Sequence, residues 1–119
     1  MKHIKKRPKS LRVMGRQYGI RWVPLNELGQ AHVGLCMNSK LEIVVQDGQH
    51  PVEELDTLLH ELFHAIWFQM SINEHDAEEE VIVRKMAGGF TQVLMDNSHL
   101  NDYIKAIRNP VPEGELDDI

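Results

Sequence analysis

The sequence has one cysteine in 119 residues, only 6% aromatic residues and no long hydrophobic run. The single thiol, Cys36, excludes an internal disulfide framework and favours a reducing compartment. The basic start MKHIKKRPKS is not followed by an apolar segment of signal-peptide length, and no run approaches the roughly 20 apolar residues that cross a bilayer. We therefore expect one soluble, cytoplasmic domain that does not contact a membrane.

Charges of the two signs are unevenly distributed, although the net charge is only −5. The first 26 residues contain Lys and Arg but no acid, and the first acid is Glu27. The end of the chain, PEGELDDI, is acidic. We predict a basic arm over residues 1–10, a single domain over 11–109 and a flexible acidic tail over 110–119. No nucleic-acid motif accompanies the arm, so we interpret it as a solvated terminus. The alternative is weak contact with nucleic acid or an acidic partner.

Two pairs of short strands are predicted in the N-terminal half. LRVMGRQYGIRWVP alternates apolar and polar residues on both sides of Gly15, which predicts strands over 11–14 and 17–23 joined by a tight turn. AHVGLCM and LEIVV, separated by NSK, predict a second pair, because the run from Ile43 to Val45 is β-branched. Cys36 lies in the apolar part of this pair, as a structural cysteine does more often than a nucleophile.

Three helices are predicted in the C-terminal half. Apolar residues recur at helical spacing from 52 to 70, and Pro51 suits the first position of a helix. A second helix is expected from 76 or 77 to 95, with Gly88 and Gly89 tolerated because of close packing against a neighbour. A short third helix should end at Pro110. The predicted fold is α+β, with a small twisted antiparallel or mixed sheet packed on the helices.

The first helix contains the motif HELFH, with His60 and His64 four residues apart and Glu61 after the first histidine. Residues i and i+4 of a helix lie on the same face, so both imidazoles would point to one place, as two zinc ligands do. Glu61 lies about 100° further round the helix, where its carboxylate can take a proton from water at the metal. We therefore predict one Zn²⁺ ion bound by His60 and His64.

A catalytic zinc site usually has three protein ligands, so the sequence must supply one more. The stretch HDAEEEVIV offers three glutamates at the start of the second helix, and helical periodicity permits Glu79 and Glu80 better than Glu78. Acids at this position also favour the helix dipole without any metal. His75, in the segment between the helices, would instead give a site with three histidines.

These features together resemble the small H-E-x-x-H proteins of bacteria and their phages, of the ImmA/IrrE-like or minimal gluzincin kind. The similar stretch covers residues 34–97, from GLCMNSKLEIVV through DTLLHELFHAIW to EEEVIVRKMAGGFTQVLMDN. The resemblance implies a zinc metallopeptidase-like fold, with His60 and His64 as ligands and Glu61 as catalytic base. This chain has Val83 and Arg84 where the ImmA/IrrE pattern has Ala-Asn, so the supporting asparagine is missing or replaced.

The resemblance also ranks the candidates for the third ligand. The family's glutamate lies seven residues before the alanine of a Phe-Ala pair, and matching that pair to Met86 and Ala87 implies Glu80. Glu79 is the second choice. SprT-like proteins are a related possibility, and their third histidine keeps His75 as the third choice.

The implied activity is endopeptidase cleavage of a protein or peptide substrate by zinc-activated water, with Glu61 as general base. We expect an extended peptide to add to the edge of the sheet along LEIVV. Tyr18, Tyr103 or an unassigned histidine is the candidate to stabilise the oxyanion. The alternative function is a non-catalytic, zinc-stabilised binding module, which the small size of the chain favours.

Overall fold

The computed structural model describes residues 7–24, 27–29, 32–72 and 78–109. The chain has an α+β fold with a four-stranded mixed sheet and three helices, as predicted. In chain order the elements are β1 Ser10–Val13, β2 Arg16–Val23, β3 Gly34–Met37, β4 Glu42–Gln46, α1 Pro51–Gln69, α2 Glu79–Asp96 and α3 Ser98–Arg108. The predicted acidic tail, residues 110–119, lies outside the described residues. No helix in the described ranges is both long and apolar enough to cross a bilayer.

The strand order in the sheet is β1, β2, β4, β3. β1 and β2 form the predicted antiparallel hairpin, whose turn has positive φ at both Met14 and Gly15, as a tight two-residue turn requires. β4 pairs in parallel with β2 on one side and antiparallel with β3 on the other. The expectation that a peptide adds along LEIVV is therefore wrong, because both edges of β4 are occupied. Of the two strands at the edges, β3 is the one beside α1.

Helix α1 matches its predicted range to within one residue at each end. Pro51 is at its first position, and the side chain of His50 accepts a hydrogen bond from the amide of Val52. Helix α2 begins at Glu79, later than the predicted 76 or 77, because Glu78 has extended backbone angles and precedes the first turn. The third helix, α3, is short and ends at Arg108, before Pro110 as predicted.

The core lies between one face of the sheet and the three helices. Its fully buried members come from every layer: Leu11, Val13, Tyr18, Ile43, Val45, Leu58, Leu62, Ala65, Ile66, Val93, Leu100 and Tyr103. Burial of these apolar side chains is the main term that stabilises the fold. It also fixes the rotation of α1 about its axis, because Leu58, Leu62 and Ile66 must face the sheet.

The two adjacent glycines of α2 have different environments. Gly89 is buried, and a Cβ placed on it would lie 2.5 Å from Cγ2 of Ile66. Gly88 is exposed, and a Cβ there would have no neighbour within 4 Å. Close packing therefore accounts for Gly89, as predicted, but not for Gly88. The contact at Gly89 sets where α2 crosses α1.

Arg7, assigned from the sequence to the basic arm, is held in an ion-pair network at the start of α1. Its guanidinium donates two hydrogen bonds to the buried carboxylate of Glu54, at 2.6 and 3.1 Å, and a third to Asp47 at 2.7 Å. The hydroxyl of Tyr103 also donates to Glu54, and the Arg7 guanidinium carbon lies 4.9 Å from the centre of the Trp22 ring. Burial, together with the Glu54 charge, raises the pKa of Tyr103.

Candidate metal centre

Three predicted site residues come together on α1. One ligand atom from each of His60, Glu61 and His64 lies within 4.8 Å of the other two. The two imidazole rings have centroids 5.0 Å apart, with an angle of 71° between their planes. The i, i+4 spacing on an unbroken helix is enough to produce this arrangement.

The position of α1 on the sheet determines which of these side chains meet solvent. Leu62 and Ile66 are fully buried, so the helix turns His60 and His64 outward, and both imidazoles are exposed. Glu61 lies at the boundary between these faces and is only 8% exposed. The cluster therefore has two ligands accessible from solvent and one carboxylate held against the protein.

Gly34, the first residue of β3, provides the space for the Glu61 side chain. A Cβ on Gly34 would lie 3.0 Å from a carboxylate oxygen of Glu61 and 2.7 Å from the methyl group of Thr57. The Thr57 hydroxyl is itself fixed, because its one proton lies between two acceptors, the carbonyl of Glu53 at 2.9 Å and the side-chain oxygen of Gln49 at 3.2 Å. Glu61 is thus positioned between a glycine backbone and a fixed threonine.

The Glu61 carboxylate acts electrostatically on its surroundings. Within the described ranges no group donates a hydrogen bond to it, so its oxygens are available to accept a proton. Burial raises the pKa of the nearby Cys36 thiol from 9.0 to about 11, and the Glu61 charge adds to this effect. Cys36 is therefore protonated at neutral pH and donates weakly to the side chain of Asn38. This agrees with a structural role for the cysteine.

A cavity of about 240 Å³ adjoins the cluster on the side of the α1 N-terminus. Its walls come from α1 and from the segment that leads into β3, and its lining residues are His32, Val33, Gly34, Asp56, Thr57, His60 and Glu61. From the sequence, Asp56 is expected on a polar approach face of α1 with Thr57 and His60, whereas His32 is expected to be a surface residue. Two signals in the sequence point to them: Asp56 lies four residues before His60, and His32 lies two residues before Gly34.

The predicted third ligand is not part of the cluster. Glu80 and Glu79 are both exposed in the first turn of α2, and neither belongs to the group formed by His60, Glu61 and His64. The part of α2 that packs on this stretch of α1 includes Phe90, whose ring centroid is 5.3 Å from that of Phe63, the residue before His64. Glu80 precedes Phe90 by ten residues, or about 15 Å along the helix axis.

His75, the third choice for the ligand, lies outside the described residues. The two tyrosines considered for the oxyanion have other roles. Tyr18 is buried, donates to Asn38 and accepts from Gln69, whereas Tyr103 is buried against Glu54. Neither tyrosine is in the lining of the cavity beside Glu61, which leaves His32 as the unassigned histidine nearest to this role.

No family model matches the chain, and neither a curated protein nor a solved structure matches it. The resemblance to the ImmA/IrrE-like proteins therefore depends on the motifs alone. The chemistry of His60, Glu61 and His64 and of their surroundings is what indicates a function.

Proposed function

We propose that this protein is a zinc-dependent metallopeptidase of the cytoplasm, with His60 and His64 as metal ligands and Glu61 as the general base. The observation that supports it most is the convergence of two imidazoles and one carboxylate within 4.8 Å on a single helix. Two exposed histidines can lie side by side by chance, but the carboxylate between them also needs space on the neighbouring strand, which a glycine provides. Gly34 makes this room for Glu61.

The donor set suits zinc. Imidazole nitrogen and carboxylate oxygen are both usual zinc ligands, and the two exposed histidines leave the ion accessible from solvent. When bound here, Zn²⁺ would lower the pKa of a water molecule and polarise a peptide carbonyl. The third ligand remains a prediction, with Glu80 as first choice, Glu79 as second and His75 as third. Glu80 or Glu79 would complete the site only if its carboxylate joined the group formed by His60, Glu61 and His64.

The proposed task of Glu61 follows from its position. A carboxylate beside the metal, but held by the wall of the site, can take a proton from the attacking water and deliver it to the leaving amine. Its low exposure and the adjacent Gly34 restrict its motion, so it can act as base without becoming a solvent-facing ligand. Proton transfer by a positioned side chain contributes about 100-fold or more to rate.

The proposed substrate is an extended peptide bound along β3. This strand is at the edge of the sheet and begins at Gly34, next to Glu61. Main-chain hydrogen bonds from a free strand edge can hold a peptide without reading its sequence. A peptide on this edge would pass beside the turn of α1 that carries His60 and His64.

Replacement of Glu61 by Gln tests the proposal. The Glu61→Gln protein should keep its zinc, because the histidines are intact, and should lose cleavage of an unfolded protein such as casein. Glu53→Gln is the matched control, since Glu53 is an exposed acid on the same helix that does not line the site. Equal proteolysis by wild type and Glu61→Gln would refute the role of this residue.

A second candidate function is a binding module that holds zinc only for stability. It is favoured by the small size of the chain, because 119 residues leave little structure for a substrate cleft. This candidate predicts tightly held zinc that does not bind a hydroxamate, and no cleavage of any peptide. Binding of a hydroxamate to the zinc-loaded protein, detected by calorimetry, would exclude it.

A further inference from the structure

The ionisable residues that line the cavity beside Glu61 are carboxylates and imidazoles. The lining contains two carboxylates, from Asp56 and Glu61, and two imidazoles, from His32 and His60. Among the residues that the structure describes, none in the lining is Lys or Arg, although 13 of the 119 residues of the chain are. The Asp56 carboxylate, four residues before the proposed metal ligand His60, therefore has no lysine or arginine beside it in the lining, and such a carboxylate attracts a cationic group.

Asp56 and His32 line the cavity without joining the metal-ligand group. In the described part of the chain, the group whose ligand atoms come together is His60, Glu61 and His64, and it contains neither Asp56 nor His32. The cavity, at about 240 Å³, is also smaller than the roughly 300–1,000 Å³ of a pocket for a drug-sized ligand. It suits an organic group the size of one residue.

The arrangement of the walls suits a group with an apolar stem and a charged head. Val33 is 47% exposed and Gly34 has no side chain, so this wall offers apolar surface to methylene groups. The carboxylate of Asp56 is on the helical wall, four residues and therefore about 6 Å along the axis from His60. A substrate side chain adjacent to the reacting bond would span this distance.

We propose that the cavity is a subsite for a cationic group on the substrate residue next to the scissile bond, with Asp56 as its counter-charge. The group is either the side chain of a basic residue or a free amino terminus, both of which present an ammonium or guanidinium head. This inference rests on the proposed peptidase function. It adds that Asp56 determines specificity.

Three tripeptide amides test the inference in solution. The first is acetyl-Ala-Lys-Ala amide, the second has norleucine in place of lysine, and the third is the norleucine peptide with a free amino terminus. Each is titrated into ¹⁵N-labelled, zinc-loaded protein. The amide signals of Val33, Gly34 and Thr57 report binding, while the peptide's own proton signals report hydrolysis in the same sample.

The expected result is that the lysine peptide or the free-amino peptide binds about two- to fivefold more tightly than the neutral peptide, as for a partly exposed ion pair. The more tightly bound of the two identifies the source of the cation. Asp56→Asn should bring this ratio close to one. Glu53→Gln, which removes an equal charge one turn away and outside the cavity, should leave the ratio unchanged.

Equal binding of the charged and neutral peptides by the wild type would overturn the inference. So would a preference that survives Asp56→Asn, or the absence of binding by any of the three peptides. Preferential binding without hydrolysis would support the subsite and count against the peptidase proposal. Hydrolysis without preferential binding of a charged peptide would support the peptidase proposal and count against the subsite.

Discussion

Replacing each of the two adjacent glycines of α2 with alanine should change stability in opposite directions. Alanine favours the helix over glycine by about 1 kcal/mol at both positions. At Gly88 the new methyl group meets nothing within 4 Å, so Gly88→Ala should stabilise the protein by up to about 1 kcal/mol. At Gly89 the methyl group would lie 2.5 Å from Cγ2 of Ile66, a fully buried residue that cannot move aside freely.

The difference between the two variants isolates the cost of this contact, because the gain in helix propensity cancels. Ile66 is β-branched and has one strongly preferred rotamer in a helix, so α1 and α2 must separate. Overpacking of this kind costs about 1–3 kcal/mol, and Gly89→Ala should be less stable than Gly88→Ala by this amount. Urea denaturation followed by far-UV circular dichroism measures both free energies of unfolding. A Gly89→Ala protein as stable as Gly88→Ala would refute the crossing of α2 over Ile66.

Two substitutions and one alkylation measurement test the site and its supports. Gly34→Ala should displace the Glu61 carboxylate and reduce peptidase activity about tenfold or more without loss of zinc, measured with a fluorogenic peptide and by metal analysis. Arg7→Met should lower the free energy of unfolding by about 3 kcal/mol, because it leaves the 2% exposed side chain of Glu54 charged and unpaired. The Cys36 thiol, with a pKa of about 11 instead of 9.0, should react with iodoacetamide at pH 8 about 100-fold more slowly than an ordinary thiol. Its rate should continue to rise with pH up to about 11.

Each of these three experiments has a control variant. Gly19→Ala adds a methyl group in open space on β2 and should leave activity unchanged. Lys9→Met removes an exposed charge near Arg7 and should change stability by less than about 0.5 kcal/mol. Glu61→Gln removes the charge that contributes to the raised pKa of Cys36, so alkylation should become faster. A normal alkylation rate in the wild type would contradict the burial of the Cys36 thiol, and equal rates in the wild type and Glu61→Gln would contradict the proximity of Cys36 and Glu61.

The parts of the fold that depend on local pattern could be predicted from the sequence. The 3.6-residue period of α1 determines both its ends and the side from which His60 and His64 project. For the same reason the cluster with Glu61 follows from five consecutive residues. The hairpin at Gly15 is equally local, since its turn requires positive φ.

The parts that depend on contacts between distant segments could not be predicted in this way. Glu80 does not belong to the group formed by His60, Glu61 and His64, and its placement depends on the crossing of α2 over α1 at Gly89, which no periodicity reveals. The role of Arg7 depends on Glu54, which is 47 residues away. The position of β4 inside the sheet did leave a signal, because the unbroken apolar run Ile43 to Val45 is typical of a strand buried on both faces.

The zinc content of the histidine variants tests the central claim most directly. Wild-type protein purified without a tag, supplied with excess zinc and then dialysed should retain about one ion per chain. His60→Ala and His64→Ala should each lose the ion. His99→Ala should keep it, because His99 is an exposed histidine on α3 whose side chain is hydrogen-bonded to the backbone carbonyl of Ser10. Retention of zinc by both His60→Ala and His64→Ala, or no retention by the wild type, would contradict the account.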